Sequence, residues 1–201
     1  MTWMQRLWRY CQRAGATGLR PWLLMPAACV MSTLCAPGHA DTGADAIFLL
    51  INERLAYMED VAAYKLENAE PVENSDREAL VIEKAKQSAM RGGLDPASIE
   101  PFFRMQISAA KAIQYRYLAE RALTPDSARG TRRDLNTEIR PELIRLGNAI
   151  VHSISDFLKA GHRFTDAHLS EFLNEVDVPY LHREEKVRLF QSLQKIKLSG
   201  S

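Results

Sequence analysis

The sequence lacks the features that identify several large classes of protein. No segment shows the polar–apolar alternation of a half-buried strand, and there is no internal repeat or low-complexity segment. Neither a glycine-rich phosphate loop nor a nucleophile elbow is present. The histidines at 152, 162, 168 and 182 have no acids or cysteines at metal-ligand spacing, so we expect no zinc or other metal site. What remains is the pattern of an all-helical protein.

Cysteine and tryptophan are absent after the first forty residues. Cys11, Cys29, Cys35, Trp3, Trp8 and Trp22 all lie before that point. The same segment has four arginines and no acid, then an apolar run from Trp22 to Leu34 and small residues up to Ala40. This pattern predicts a signal peptide over residues 1–40, cleaved after Ala40, with Ala46 as the alternative site. The apolar run is too short for a good membrane span, although a retained amphipathic anchor is the other interpretation.

Cleavage changes the chemical character of the chain. Removal of residues 1–40 takes away four of the 26 basic side chains and none of the 25 acidic ones, so the formal charge falls from +1 to −3. Without cysteine there is no disulfide, and packing must stabilise what we predict to be one periplasmic or secreted domain. The slightly acidic total argues against nucleic acid or an anionic membrane as partner.

The segment from Ile47 to Glu78 organises the rest of the chain. It begins with a long helix predicted over residues 44–69 and ended by Pro71. One stripe of this helix consists of Ile47, Ile51, Arg54, Met58, Val61 and Lys65. Two members of this apolar stripe are cations, and their eleven-residue separation places them on one face, roughly 16 Å apart along the axis. The carboxylates at 53, 59, 60 and 67 lie off the stripe.

Two more helices complete the predicted core region, residues 44–123. Asn74 or Ser75 caps the second helix, which ends at Gly92–Gly93, and Ser75 to Glu78 fits the capping-box pattern. Asp95–Pro96 begins a third helix that reaches about residue 123. Its core-facing stripe is predicted to contain Phe103, Ile107, Ala110, Gln114 and Tyr117.

A helical extension is predicted over residues 134–198, after a loop from Thr124 to Asp134. Its first helix has a stripe made of Arg140, Leu143, Gly147, Ile150, Ile154 and Leu158. Two shorter helices follow, over about 165–174 and 179–198. The loops are too short to suggest a second domain. The chain is therefore predicted to be a multi-helix bundle.

The cations of the first helix suggest a site for an anionic ligand. A buried cation without a partner is unfavourable, so an anion should meet Arg54 and Lys65, with Arg77 just beyond the turn. We therefore interpret them as the lining of a pocket for a small, multiply anionic molecule. The alternative is that each side chain buries its stem and extends its charge into water.

Three other residues admit a structural and a functional interpretation. Gln114 is either a core amide bonded to a neighbouring backbone group or a neutral donor aimed into the pocket. Arg140 is either a surface arginine near a helix start or a pocket residue. Glu78 is explained by the capping box, but it could also hold a ligand hydroxyl.

The order and spacing of these residues resemble the all-helical chorismate mutases. The resemblance is carried by the gap of eleven residues between Arg54 and Lys65, by P-V-x-N-S-D-R-E ending at Glu78, and by Q-I-x-A-A-x-A-I-Q-Y ending at Tyr115. The signal peptide and the extension past residue 125 resemble the exported subclass of that family. The similarity covers about Ala44 to Leu123 well and the last third loosely.

The resemblance implies a type II-like fold and a cofactor-free rearrangement of chorismate to prephenate. In that family, the residue matching Arg54 binds a substrate carboxylate, and those matching Lys65 and Gln114 donate to the ether oxygen of the breaking bond. The residue matching Arg77 helps to position the substrate, and the one matching Glu78 accepts a hydrogen bond from the ring hydroxyl. These roles are expectations for the present chain.

The resemblance also implies an active site within one subunit, completed by an arginine from the fourth helix. Arg140 is the candidate, with Arg133 and Arg145 as rivals. Asn74 is expected to bind substrate mainly through its backbone, where the family often has an acid, and Ala110 stands where the family often has a hydroxyl. A homodimer is also suggested.

Two rival functions share these features. An isochorismate-pyruvate lyase would use the same fold and a similar pocket. A non-catalytic periplasmic helical protein would hold an organic dianion without converting it, because fold alone does not decide function.

Overall fold

The computed structural model describes residues 42–124 and 133–201, and within these ranges every regular element is a helix. The elements are α1 (Thr42–Ala56), α2 (Met58–Glu67), α3 (Ser75–Gly92), α4 (Pro96–Leu123), a π-helix (Leu135–Ile139), α5 (Arg140–Lys159), a 3-10 helix (Asp166–His168), α6 (Leu169–Glu175) and α7 (Arg183–Leu193). The predicted all-helical fold class is confirmed. The predicted signal peptide and most of the predicted loop lie outside the described residues.

The predicted first helix is two consecutive helices that keep one buried stripe. Tyr57 separates α1 from α2 but retains right-handed helical angles, φ −69° and ψ −10°, so the apolar stripe continues across it. The predicted end is wrong by two residues. Ala69 adopts a left-handed backbone, φ 54°, and the amide of Glu70 donates to the carbonyl of Lys65 at 2.8 Å. This Schellman-type ending closes α2 before Pro71 is reached.

Asn74 is the N-cap of α3, which decides between the two predicted caps. Its side-chain oxygen accepts from the amide of Arg77 at 2.9 Å. The predicted capping box of Ser75 and Glu78 is wrong, because Ser75 is already the first helical residue. The carboxylate of Glu78 lies 3.3 Å from the ammonium of Lys111 instead.

The next boundaries follow the predicted signals. Gly93 ends α3 in a left-handed conformation, φ 76°, which favours glycine. Asp95 caps α4 by accepting from the amide of Ala97 at 2.9 Å. The predicted fourth helix does begin at Arg140, but one turn of π-helix, capped by Asp134, precedes it.

The predicted last helix is too long at both ends. Tyr180 has a left-handed backbone, φ 64°, and α7 begins only after His182. Beyond α7 the chain runs alongside the α3–α4 turn, where the amide of Asp95 donates to the carbonyl of Lys197 at 2.9 Å. An isolated antiparallel bridge between Leu94 and Leu198 completes this contact. The backbone groups predicted to be helical are therefore used to attach the chain end.

One apolar core joins the described helices. Helix α3 packs against α4 and α5, α1 packs against α5, and α2 packs against α4. Helices α6 and α7 pack against each other and cover α1 and α4, respectively. Phe48 of α1 meets Phe172 and Phe190 with ring centroids 5.1 and 6.3 Å apart. Among the described residues, no helix is both long and apolar enough to cross a membrane.

Candidate active site

A cavity of about 140 Å³ opens between α1–α2, α3, α4 and α5. Its lining includes every site residue predicted from the sequence: Arg54, Lys65, Asn74, Arg77, Glu78, Gln114 and Arg140. Arg133 and Arg145, the rivals of Arg140, do not line it. All seven side chains belong to one chain, so no partner subunit is needed to bring them together.

Arg54 lies in the last turn of α1 and is only 5 % exposed. Its Nη1 donates to Oε1 of Gln106 at 3.1 Å, and its guanidinium carbon lies 6.0 Å from the ring centroid of Phe103. Nε is buried without a partner, and no carboxylate in the described residues forms an ion pair with this side chain. Burial, and secondarily the charge of Arg77, lowers the pKa of Arg54 to about 10. At neutral pH it is a buried, uncompensated cation.

Lys65 lies in the last turn of α2 and is 8 % exposed. Its ammonium donates to the carbonyl of Val72, in the α2–α3 turn, at 2.6 Å. Burial lowers the pKa of Lys65 most, the carboxylate of Glu70 opposes this effect, and the charge of Arg140 adds to it. Because an ammonium has three donors, two remain for a ligand. Because both side chains are buried, the alternative that Arg54 and Lys65 extend their charges into water is wrong.

The first turn of α3 brings three predicted residues to the cavity. Asn74 caps the helix start, and Arg77 and Glu78 in the turn that follows also line the cavity. Burial, and then the charge of Arg140, lowers the pKa of Arg77 below its usual value. Glu78 is held by Lys111 and is the one acid among the described lining residues.

Gln114 matches both of its predicted interpretations. Its side chain is 4 % exposed and lines the cavity, and its Nε2 donates to the carbonyl of Ala110 at 3.1 Å. The second contact of Nε2 is the sulfur of Met58 at 3.8 Å, which is a weak acceptor. Oε1 is buried without a partner among the described residues. One N–H of this amide is therefore available to a better acceptor.

Arg140, the first residue of α5, differs clearly from its two rivals. Its Nη1 bonds to Oδ1 of Asn136 on the preceding π-helix turn, and no acid in the described residues pairs with it. Arg133 instead lies 3.9 Å from a carboxylate oxygen of Asp60. Arg145 lies 2.5 Å from Glu142 and 3.5 Å from Glu53. Since Arg140 also lowers the pKa of Lys65 and Arg77, its charge acts within the cavity.

Several residues in or behind the lining were not predicted from the sequence. Lys84 and Lys111 line the cavity as additional cations, and Gln106 contacts Arg54 from behind. A signal for Gln106 existed, because it lies three residues after Phe103 and four before Ala110, both on the core-facing stripe of α4. Lys84 and Lys111 gave no such signal, since lysines on a helix are usually solvated.

The site is suited to binding an anion and to donating hydrogen bonds. Arg54, Lys65, Arg77, Lys84, Lys111 and Arg140 face a single lining carboxylate. The buried guanidinium and ammonium groups can form charge-assisted hydrogen bonds with carboxylates, and arginine can do so with two parallel bonds. The geometry therefore favours a ligand with more than one anionic group.

Comparison with known proteins agrees with this arrangement. The family model described as chorismate mutase type II matches residues 41–115. A monofunctional chorismate mutase from Enterobacter agglomerans is 37 % identical over 146 residues, which are 73 % of this chain and 79 % of the relative. The chain belongs to the chorismate mutase family. Because chorismate mutases are isomerases, this chain is assigned to the isomerases.

Two further comparisons extend past the matched model. A secreted chorismate mutase from Yersinia pestis is 36 % identical over 149 residues, or 74 % of this chain and 79 % of the relative. The crystal structure of secreted chorismate mutase from Yersinia pestis superposes with a TM-score of 0.69 at 35 % identity, covering 76 % of this chain and 97 % of that one. The resemblance to the family seen in the sequence is confirmed, and the chorismate mutase fold includes much of the C-terminal extension.

Proposed function

We propose that this exported chain converts chorismate to prephenate in the cavity between α1–α2, α3, α4 and α5. The observation that carries the proposal is the set of four lining cations, Arg54, Lys65, Arg77 and Arg140, none of which forms an ion pair within the described residues. Chorismate has two carboxylates that could neutralise part of this charge. Export is proposed because the relative from Yersinia pestis is named a secreted chorismate mutase.

The rearrangement breaks a C–O bond and forms a C–C bond within one molecule. No proton is transferred and no covalent enzyme intermediate is needed, so the site requires position and electrostatics rather than a base. In our proposal, Arg54 and Arg140 bind carboxylates and Arg77 helps to orient them. Held in this way, a flexible substrate is restricted to the compact conformer in which the reacting carbons are close.

Two donors are assigned to the ether oxygen, where negative charge grows as the C–O bond breaks. Lys65 provides one through an N–H not used by Val72, and Gln114 provides the other through the N–H that faces Met58. Donors already in place stabilise the developing charge more than the ground state, which is what lowers the barrier. Glu78 accepts from the ring hydroxyl, and Asn74 contributes mainly through its backbone.

The test is to incubate the purified protein with chorismate and to follow the loss of chorismate absorbance and the formation of prephenate. Pyruvate release from isochorismate, with no prephenate from chorismate, would show that the site belongs to a lyase. Binding of a bicyclic transition-state analogue without turnover of either substrate would show a non-catalytic binding protein. The homodimer suggested by family resemblance stays a prediction, and sedimentation would test it.

A further inference from the structure

Gln106 occupies an unusual position behind the candidate active site. It lies on α4, is fully buried and does not line the cavity. Its Oε1 accepts the hydrogen bond from Nη1 of Arg54 at 3.1 Å, joining positions 52 residues apart. Its own Nε2 is buried and has no partner in the described residues. The amide therefore serves Arg54 while one of its own polar groups stays unsatisfied.

Stability alone would favour a different residue at this position. Arg54 is a buried cation, and the usual partner of such a group is a carboxylate that forms two parallel hydrogen bonds. Glutamate has the size of glutamine and would leave no unsatisfied amide nitrogen. Instead, Arg54 is flanked by the neutral Gln106 and by the ring of Phe103. Both neighbours restrict the guanidinium without cancelling its charge.

We propose that Gln106 is a positioning residue that orients Arg54 through a neutral acceptor and leaves its full charge for a substrate carboxylate. The inference rests on the proposed role of Arg54 in binding substrate. It assigns a function to a residue that does not line the cavity. The choice of amide over carboxylate then tunes affinity for an anion, while the hydrogen bond itself sets the direction of the guanidinium.

The decisive variant is Gln106→Glu, which keeps the size and the acceptor but adds a negative charge beside Arg54. We expect unchanged or higher thermal stability together with a KM for chorismate at least tenfold higher and a smaller change in kcat. A residue with only a structural role would change stability and leave the KM of the folded protein unchanged. Gln191→Glu is the matched control, because it adds the same charge at an exposed position on α7.

A second variant, Gln106→Leu, removes the acceptor without adding charge. We expect kcat/KM to fall by about three- to tenfold, because Arg54 loses its orientation but keeps its charge. If Gln106→Glu or Gln106→Leu folds and keeps kinetic constants within twofold of the parent, the inference is overturned. If neither variant folds, Gln106 is a packing residue and the inference is overturned as well.

Arg54→Met separates this inference from the proposed function. Normal kinetics for Arg54→Met would refute the role of Arg54 and with it the role of Gln106. A large loss for Arg54→Met combined with normal kinetics for Gln106→Glu would refute only the positioning role. We expect Arg54→Met to lower kcat/KM strongly and Gln106→Glu to raise the KM for chorismate.

Discussion

Arg116, which belongs to α4, and Arg54, which bonds to α4 from α1, have opposite environments. Arg116, on α4, donates from both terminal nitrogens to the carboxylate of Glu185 at 2.7 Å and from Nη1 to the carbonyl of Tyr180 at 2.6 Å. These contacts attach the C-terminal layer, and the hydrogen bond to Glu185 raises the pKa of Arg116. Arg54 is more deeply buried, has a neutral acceptor, and has a pKa lowered to about 10.

The difference separates a structural cation from a functional one. The contact of Arg116 is complete within the protein, so its energy is already part of folding. The contact of Arg54 is incomplete, so its favourable energy becomes available only when an anion enters. The fold thus contains a complete ion pair where α4 meets α7. At the cavity it has cations with no carboxylate partner among the described residues. Substitutions at the two places should therefore change different measurable quantities.

The largest expected effect is on Lys65→Ala. Removing a donor aimed at developing negative charge typically costs a factor on the order of 10²–10³ in rate. We expect kcat to fall by at least this order while the circular dichroism spectrum and the melting temperature stay close to those of the parent. Lys195→Ala, an exposed lysine outside the cavity, is the control. Near-normal turnover by Lys65→Ala would refute its role.

The next effect distinguishes Arg140 from its rival on the same helix. A hydrogen bond to a charged group contributes about 1.5–3 kcal/mol, so Arg140→Leu should lower kcat/KM by roughly 10- to 100-fold. Arg145→Leu should change it less than twofold, because Arg145 is exposed and already paired with Glu142. Steady-state kinetics of both variants give the comparison, and a larger effect for Arg145→Leu than for Arg140→Leu would show that the assignment of Arg140 is wrong.

Arg116→Leu tests the structural side of the comparison. The pair is partly exposed, so its loss should destabilise the fold by only about 1 kcal/mol, or a melting temperature decrease of about 2–4 °C. We expect kcat/KM at 25 °C to stay within twofold. Arg188→Leu, an exposed arginine on the same α7 layer, should change neither quantity. A large loss of turnover in folded Arg116→Leu would contradict the separation of the two regions.

Acid should affect the same pair. The hydrogen bond from Arg116 lowers the pKa of Glu185 below 4.5. A carboxyl group with a lowered folded-state pKa stabilises the protein above its unfolded-state pKa, and this contribution disappears as the pH falls through the folded-state value. The melting temperature should therefore fall below about pH 4.5, and this fall should be smaller in Glu185→Gln. An equal decrease in both proteins would exclude Glu185 as a source.

The smallest expected effect is that of neutral pH on activity. Gln114 donates without titrating, so kcat/KM should stay nearly constant between pH 5 and 8. Above that range it should decline as Lys65, whose pKa is lowered from 10.5, loses its proton. A pH–rate profile measured at constant ionic strength checks both parts. A steep loss of activity between pH 5 and 7 would count against Gln114 as the donor.

Much of the site could be predicted because its residues interrupt apolar stripes. Arg54, Lys65 and Gln114 occupy core-facing positions of regular helices, and helical periodicity determines the facing without knowledge of the partners. Arg140 was placed by the same reasoning. The family resemblance then ranked it above Arg133 and Arg145, which the structure finds paired with acids.

What could not be predicted depends on contacts between distant segments. Glu78 fitted a local capping pattern, but Asn74 caps α3 and the carboxylate meets Lys111 of another helix. The last helix was predicted to be too long, because its amphipathic pattern does not reveal that the chain end attaches to the α3–α4 turn. The position of Gln106 on the apolar stripe indicates burial, but only the structure shows that its partner is Arg54, 52 residues away.

The clustered cations of the cavity repel one another, and an anionic ligand would reduce this repulsion. Arg77 lowers the pKa of Arg54, and Arg140 lowers the pKa of Lys65 and Arg77, so these charges repel one another across the cavity. A dianion bound there should replace this repulsion with attraction, and a ligand that binds the folded chain but not the unfolded one stabilises the fold. We therefore expect added chorismate to raise the melting temperature of the protein.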